Sequence, residues 1–194
     1  MLVTPYYNKP SQEGLYQHFK AIAGSTQLPC ILYNVPSRTV ISLAPETVIK
    51  LSQIENIIGI KDSGSLEDTA SIIGGAKKGF TVWSGNDSDA LPALSIGGHG
   101  VISVAAHLVG LQMKDMINKY LAGQVNEAAA IHTHLIPLVK ALFVVSNPVP
   151  VKYALNQIGF RVGKHRLPLV EPDAKSAALI KDTLKNYKID LPLS

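Results

Sequence analysis

Between residues 2 and 104, five short apolar runs each end in a polar side chain. A stretch with helical spacing follows each of the first four, and the beat repeats roughly every 25 residues. The runs are 2–4, 29–34, 57–61, 80–84 and 100–104. Their terminal polar residues are Thr4, Tyr33, Lys61, Ser84 and Ser103. Strands alternating with helices cannot pair as hairpins, so the pattern predicts βαβ units and a parallel sheet. It also predicts that the polar residues gather at the carboxyl ends of the strands, the face that carries chemistry in a (β/α)8 barrel. A doubly wound open sheet gives the same beat, but it would place a glycine-rich phosphate turn after the first strand. Here Tyr6-Tyr7-Asn8-Lys9-Pro10 follows it, and Gly97-Gly98-His99-Gly100 precedes a strand.

The intervening stretches read as helices. Ser11 is the expected N-cap of the first, with Leu15, Phe19, Ile22 and Ala23 at helical spacing and Gly24-Ser25 as its stop. Helices are expected over 44–53, 65–76 and 89–96, the first of these with Pro45 in its opening turn. Residues 35–39 read as a loop. After residue 104 only helical patterns remain, over 109–122, 125–143, 150–158 and 173–187. Ala128, Ile131, Leu135 and Leu138 define a core-facing stripe, and Pro137 predicts a kink. The expected organisation is therefore an α/β fold. Residues 1–108 form part of a (β/α)8 barrel, and residues 109–194 hold the last barrel helix and a C-terminal helical extension. A barrel needs eight strands and about 250 residues. Five strands in 194 residues predict a chain that lacks the first three β/α units, with two open sheet edges and marginal folding alone.

Composition narrows the function classes. The chain is 46% apolar and 16% charged, enough to bury a core. Its net charge of +4 comes from scattered lysines without a basic stripe, which argues against nucleic-acid binding. A single cysteine, Cys30, allows neither an internal disulfide nor a cysteine metal cluster and points to a reducing compartment, the cytoplasm. No signal-peptide pattern and no membrane-length apolar run is present. His132 and His134, two apart on a helix, point away from each other. Asp87 and Asp89 suit a helix N-terminus. No metal and no organic cofactor is expected.

The chemistry-bearing stretch is Ile57-Ile58-Gly59-Ile60-Lys61-Asp62. An amine against that much apolar surface is poorly hydrated, which favours its neutral form. A neutral amine attacks ketones and aldehydes to give a Schiff base. Taken alone, the stretch also fits a lysine that snorkels from a strand end into water. Tyr33 alone also fits a packed strand aromatic, and Arg38 alone fits a solvated loop charge.

Four motifs together break that tie: Val3-Thr4-Pro5-Tyr6-Tyr7-Asn8-Lys9-Pro10, Tyr33-Asn34-Val35-Pro36-Ser37-Arg38-Thr39, Gly59-Ile60-Lys61-Asp62 and Gly98-His99-Gly100-Val101-Ile102-Ser103. With Asn147-Pro148-Val149-Pro150-Val151-Lys152 and Arg166-Leu167-Pro168-Leu169, the chain resembles the dihydrodipicolinate synthase family. That family sits among the pyruvate-dependent class I aldolases, together with N-acetylneuraminate lyase. The resemblance implies a lyase that condenses pyruvate with L-aspartate 4-semialdehyde in diaminopimelate and lysine biosynthesis. It implies Lys61 as the Schiff-base lysine and Tyr33 as the proton-shuttling phenol. Arg38 is implied as the ligand of the aldehyde substrate's carboxylate, and Tyr7 as the tyrosine that reaches into a partner subunit's site. Gly85, Asn86 and Ile102 are implied to line the pyruvate pocket, and Tyr6 to belong to the lysine feedback site. A homo-oligomer, dimer or tetramer, is implied.

The family's Gly-Thr-Thr-Gly-Glu motif, whose threonines bind the pyruvate carboxylate, has no counterpart in the 194 residues. The resemblance therefore implies a correct nucleophile in an incomplete site. Two alternatives stay open: another pyruvate-dependent aldolase of the superfamily, or a non-catalytic fragment acting only in assembly.

Overall fold

The computed structural model describes residues 1–190. Contacts divide the chain into two compact units, Met1–Ile102 and the part from Ser103 onward. In the first unit, strands β1 (Leu2–Val3), β2 (Cys30–Asn34), β3 (Ile57–Asp62), β4 (Thr81–Ser84) and β5 (Gly100–Val101) form one sheet in the order β1-β2-β3-β4-β5. Every pairing is parallel. Helices α1 (Gln12–Gly24), α2 (Pro36–Thr39), α3 (Pro45–Leu51), α4 (Leu66–Gly75) and α5 (Ala90–Ser95) connect them. The strand order never reverses, so the unit is singly wound, which is barrel and not doubly wound topology.

Register divides the sheet into two faces. Leu2, Leu32, Ile60 and Val82 lie side by side across β1 to β4. Leu32, Ile60 and Val82 are buried in one cluster with Leu15, Phe19 and Ala23 of α1, Val48 and Leu51 of α3, and Ile72 of α4. The helices explain themselves locally. In α1, Leu15, Phe19 and Ala23 recur every fourth residue, which places them on one stripe. Ser11 accepts the Gly14 amide at 3.2 Å, and Ser65 likewise caps α4 through Asp68 N at 3.0 Å. Gln12 ties α1 to α3, accepting from Ala44 N at 3.0 Å and Thr47 Oγ1 at 2.8 Å.

Three local readings change. Residues 36–39 are a helical turn and not loop: Pro36 fixes the first-turn φ, and Val40 at φ +69° ends it. The fifth strand is Gly100–Val101 and not 100–104, because Ser103 leaves the strand to accept the Ala106 amide at 2.8 Å. Asp89 does not cap α5 with its carboxylate. That carboxylate instead takes Asn86 Nδ2 at 2.9 Å and Ser88 Oγ at 3.2 Å.

The second unit is helical: α6 (Ala106–Leu121), α7 (Val125–Ala141), α8 (Val149–Gln157) and α9 (Ala174–Leu184). The assigned α7 continues through Pro137, and Ala128, Leu135 and Leu138 are buried on its inner face while Ile131 is half-buried. Within α6, Val109 leaves helical geometry at φ −131° and ψ 37°. The helix restarts there because Asp190 accepts Leu111 N at 2.6 Å, an N-cap supplied from 79 residues away. Among the described residues, no helix is long and apolar enough to cross a membrane.

Candidate active site

The second row across the sheet is Val3, Tyr33, Lys61, Trp83 and Gly100, again in parallel register. Side chains alternate along a strand, so this row lies on the face turned away from the α1, α3 and α4 cluster. Tyr33, Lys61 and Trp83 are half-buried there, and Val3 is 46% exposed. Lys61 Nζ sits 4.4 Å from the centroid of the Tyr33 ring. Adjacent parallel strands impose this meeting, because two long side chains at paired positions have nowhere to go but over each other. A lysine ammonium over a ring face is attracted by the ring quadrupole.

Space beside the amine is made by glycine. A Cβ on Gly85 would overlap Ser63 Oγ and lie 3.1 Å from Lys61 Cε, so glycine lets the β4 loop close on the lysine stem without displacing the Ser63 hydroxyl. Below it, Gly59 leaves room for Trp83, whose Cζ3 would be 2.7 Å from an added Cβ. The indole edge in turn meets the His99 ring, with centroids 5.7 Å apart.

Backbone bonds run on past the strand ends. Thr4 N donates to Tyr33 O (3.0 Å), Ser63 N to Asn34 O (2.9 Å), Gly85 N to Asp62 O (2.6 Å) and Ile102 N to Ser84 O (2.9 Å). Each first loop residue is thereby pinned to the neighbouring strand, which draws Gly85 and Ile102 to the mouth of the sheet. Thr4, fully buried, adds a hydroxyl bond to Tyr33 O at 3.0 Å.

Of the residues singled out in the sequence, the structure brings Lys61, Tyr33 and Gly85 together. Ile102 is half-buried at the end of β5. Asn86 lies in the same loop as Gly85, but its amide is turned to Asp89 and its N–H to Ser84 Oγ at 3.1 Å. Arg38 is exposed on α2, the element that follows Tyr33. Tyr7 stands 91% exposed with a left-handed backbone at φ +65°, and Tyr6 is 69% exposed. Neither tyrosine is packed against this unit.

Sequence reasoning missed two groups. Trp83 follows Lys61 in register and walls the same face. Asn34 and Asp62, one residue after Tyr33 and Lys61, form a buried hydrogen-bonded pair on the opposite face, with Asn34 Nδ2 donating to Asp62 Oδ1 at 2.9 Å. The signal was a repeated offset, since both chemistry-bearing residues are followed at once by a short polar side chain.

Known proteins resemble this arrangement along its whole length. The model of the dihydrodipicolinate synthetase family matches residues 1–187. The 4-hydroxy-tetrahydrodipicolinate synthase of Dehalococcoides mccartyi is 63% identical over 194 residues, all of this chain and 65% of the relative. The crystal structure of a dihydrodipicolinate synthase from Bacillus anthracis aligns with a TM-score of 0.93 at 43% identity, covering 100% of this chain and 65% of that one. A chloride-inhibited dihydrodipicolinate synthase from Acinetobacter baumannii, complexed with pyruvate, aligns with a TM-score of 0.91 at 40% identity, covering 95% and 64%. The chain thus spans 65% of the length of the D. mccartyi relative, and the partial-barrel reading agrees with these folds. With family motifs, fold and strand-end lysine all coinciding, the chain belongs to the dihydrodipicolinate synthetase family.

Proposed function

We propose that the site forms a Schiff base between Lys61 and pyruvate and condenses it with L-aspartate 4-semialdehyde to 4-hydroxy-tetrahydrodipicolinate, in diaminopimelate and lysine biosynthesis. The observation that carries this reading is the Lys61 amine held 4.4 Å from the Tyr33 ring centroid at the carboxyl ends of parallel strands. The amine nitrogen attacks the ketone carbon of pyruvate, and the resulting carbinolamine loses water to give the imine. Loss of a methyl proton gives an enamine, whose carbon attacks the aldehyde of the second substrate. Attack by that substrate's own amine on the imine carbon closes the ring and frees Lys61. Tyr33, whose ring lies 4.4 Å from the amine, takes and returns the protons of carbinolamine dehydration.

Arg38 binds the carboxylate of the aldehyde substrate, a task suited to its planar fork. Gly85, Asn86 and Ile102 line the pyruvate pocket, and Tyr6 is a feedback-site residue. Tyr7, exposed in the single chain, completes the proton relay of a partner subunit in a homo-oligomer working in the cytoplasm. No metal or organic cofactor takes part, because the imine itself is the electron sink. The break in α6 at Val109 supports reading residues 1–108 as the partial barrel and 109–194 as the last barrel helix and its extension.

The test is a competition of second substrates. Purified protein with pyruvate is supplied with aspartate 4-semialdehyde, N-acetylmannosamine or glyoxylate, and pyruvate consumption is followed. Preference for aspartate 4-semialdehyde is expected, and loss of that preference in Arg38→Lys. Faster consumption with either other aldehyde contradicts the reading.

A further inference from the structure

On the helix side of the sheet, directly behind the Tyr33 and Lys61 pair, lies a carboxylate that the mechanism above does not use. Asp62 is 3% exposed. Its Oδ1 accepts Asn34 Nδ2 at 2.9 Å and Gly64 N at 2.9 Å, and its Oδ2 accepts Thr69 Oγ1 at 2.8 Å. Asn34, also buried, passes the connection on. Its Oδ1 accepts Leu43 N at 3.0 Å, and its Nδ2 reaches Ser42 Oγ at 3.1 Å. One carboxylate therefore joins β2, β3, the first turn of α4 and the segment that follows the Arg38-bearing turn. Buried charge is retained only where donors compensate it, and here three donors on three different segments do so.

We infer that Asp62 is a positioning residue for the Schiff-base lysine: the Asp62–Asn34 bond fixes the ends of β3 and β2, and so sets Lys61 against Tyr33. The inference rests on the reading of Lys61 as the imine-forming residue. Its geometry is direct. Tyr33 pairs with Lys61 and Asn34 with Asp62 in the same register, so the clamp sits one residue beyond the reacting pair, on the face where helices hold it still. Misplacing a reacting group by about 1 Å can cost about 100-fold in rate.

The hydrogen-bond chemistry separates a geometric role from a charge role. In Asp62→Asn, the amide oxygen keeps the Asn34 and Gly64 donors. The new NH2 donates to Thr69 Oγ1, whose single proton turns from residue 62 to Ser65 O, 2.9 Å away. Every contact survives without the charge. In Asp62→Ala, Asn34 Nδ2 and Gly64 N lose their shared acceptor.

The experiment is borohydride trapping of pyruvate on the full chain. The rate at saturating pyruvate and the fraction labelled are read separately, alongside circular dichroism. Wild type is expected to label at Lys61. Asp62→Ala is expected to label at least about tenfold more slowly per folded molecule, and Asp62→Asn within about threefold of wild type. A merely structural role would lower the fraction labelled and leave the rate unchanged, which overturns the inference. Equal slowing in Asp62→Asn and Asp62→Ala overturns it too, in favour of charge. Where Asp62→Ala does not fold, Thr69→Val decides: slowing rescued by Thr69→Ser supports the clamp, and a wild-type rate overturns it. Absence of Lys61 labelling in the wild type is a different failure, because it removes the Schiff-base reading itself.

Discussion

The two faces of the same five strands differ in what protects them. On the helix side, Leu32, Ile60 and Val82 are closed off by α1, α3 and α4, and Phe19 and Leu15 are fully buried against them. On the other side, Val3 is 46% exposed, and Tyr33, Lys61 and Trp83 are half-buried. One face holds the fold and the other holds the reactive groups. The strand period of two assigns every residue to one or the other. The difference teaches that the site's precision is supplied from behind, by side chains that never touch substrate. It also means that apolar packing and the reacting amine can be broken separately, while the Asp62–Asn34 pair couples the two faces.

The largest expected effect is on the reactive face. Lys61→Ala abolishes pyruvate trapping while moving the thermal midpoint little, measured by mass spectrometry and by melting. On the packed face the pattern reverses. Ile60→Ala removes a fully buried side chain and costs about 2–5 kcal/mol of stability in a denaturant titration. The folded fraction is expected to keep its trapping rate. Tyr33→Phe keeps the ring under the amine and removes only the hydroxyl. Imine formation is expected to slow about 100-fold, with stability within about 1 kcal/mol, read by stopped-time borohydride quenching. Gly85→Ala sharpens the comparison, because its Cβ would overlap Ser63 Oγ and crowd Lys61 Cε. It is expected to slow trapping about tenfold and to cost about 1–3 kcal/mol.

The smallest effect is a control in the helical unit. Asp173 caps α9, and the backbone and hydroxyl donors of Ser176 hold its carboxyl below the ordinary value of 3.8. The unfolded chain titrates at the ordinary value, so this cap contributes fully above it. The contribution is lost as pH falls through the lowered folded value. Melting below pH 4 should therefore show a slightly smaller acid destabilisation in Asp173→Asn than in wild type, and no change in trapping at neutral pH.

Much of this was legible in the chain itself. The strand and helix beat followed from apolar runs and turn chemistry. Ser11 announced a helix start by its type, and the expected spans 65–76 and 173–187 begin on the residues that cap α4 and α9. Lys61 and Tyr33 stood out as polar ends of apolar strands. What was not legible depends on distance in space. The Asn34–Asp62 bond spans 28 residues and needs the register of two strands to exist. The truncation of β5 reflects Ser103 turning its hydroxyl to the Ala106 amide instead of extending the ladder. The short helix at Pro36 was hidden because four residues are too few for a period to show. Tyr7 was assigned by resemblance alone, and it stands 91% exposed in the single chain.

The central claim is that Lys61 is a nucleophile toward pyruvate. Sodium borohydride reduction of the protein with pyruvate, followed by peptide mapping, tests it most directly. The account predicts one reduced pyruvate adduct per chain, on the peptide containing Lys61, and none without pyruvate. An adduct on another lysine, or no adduct on a folded chain, contradicts it.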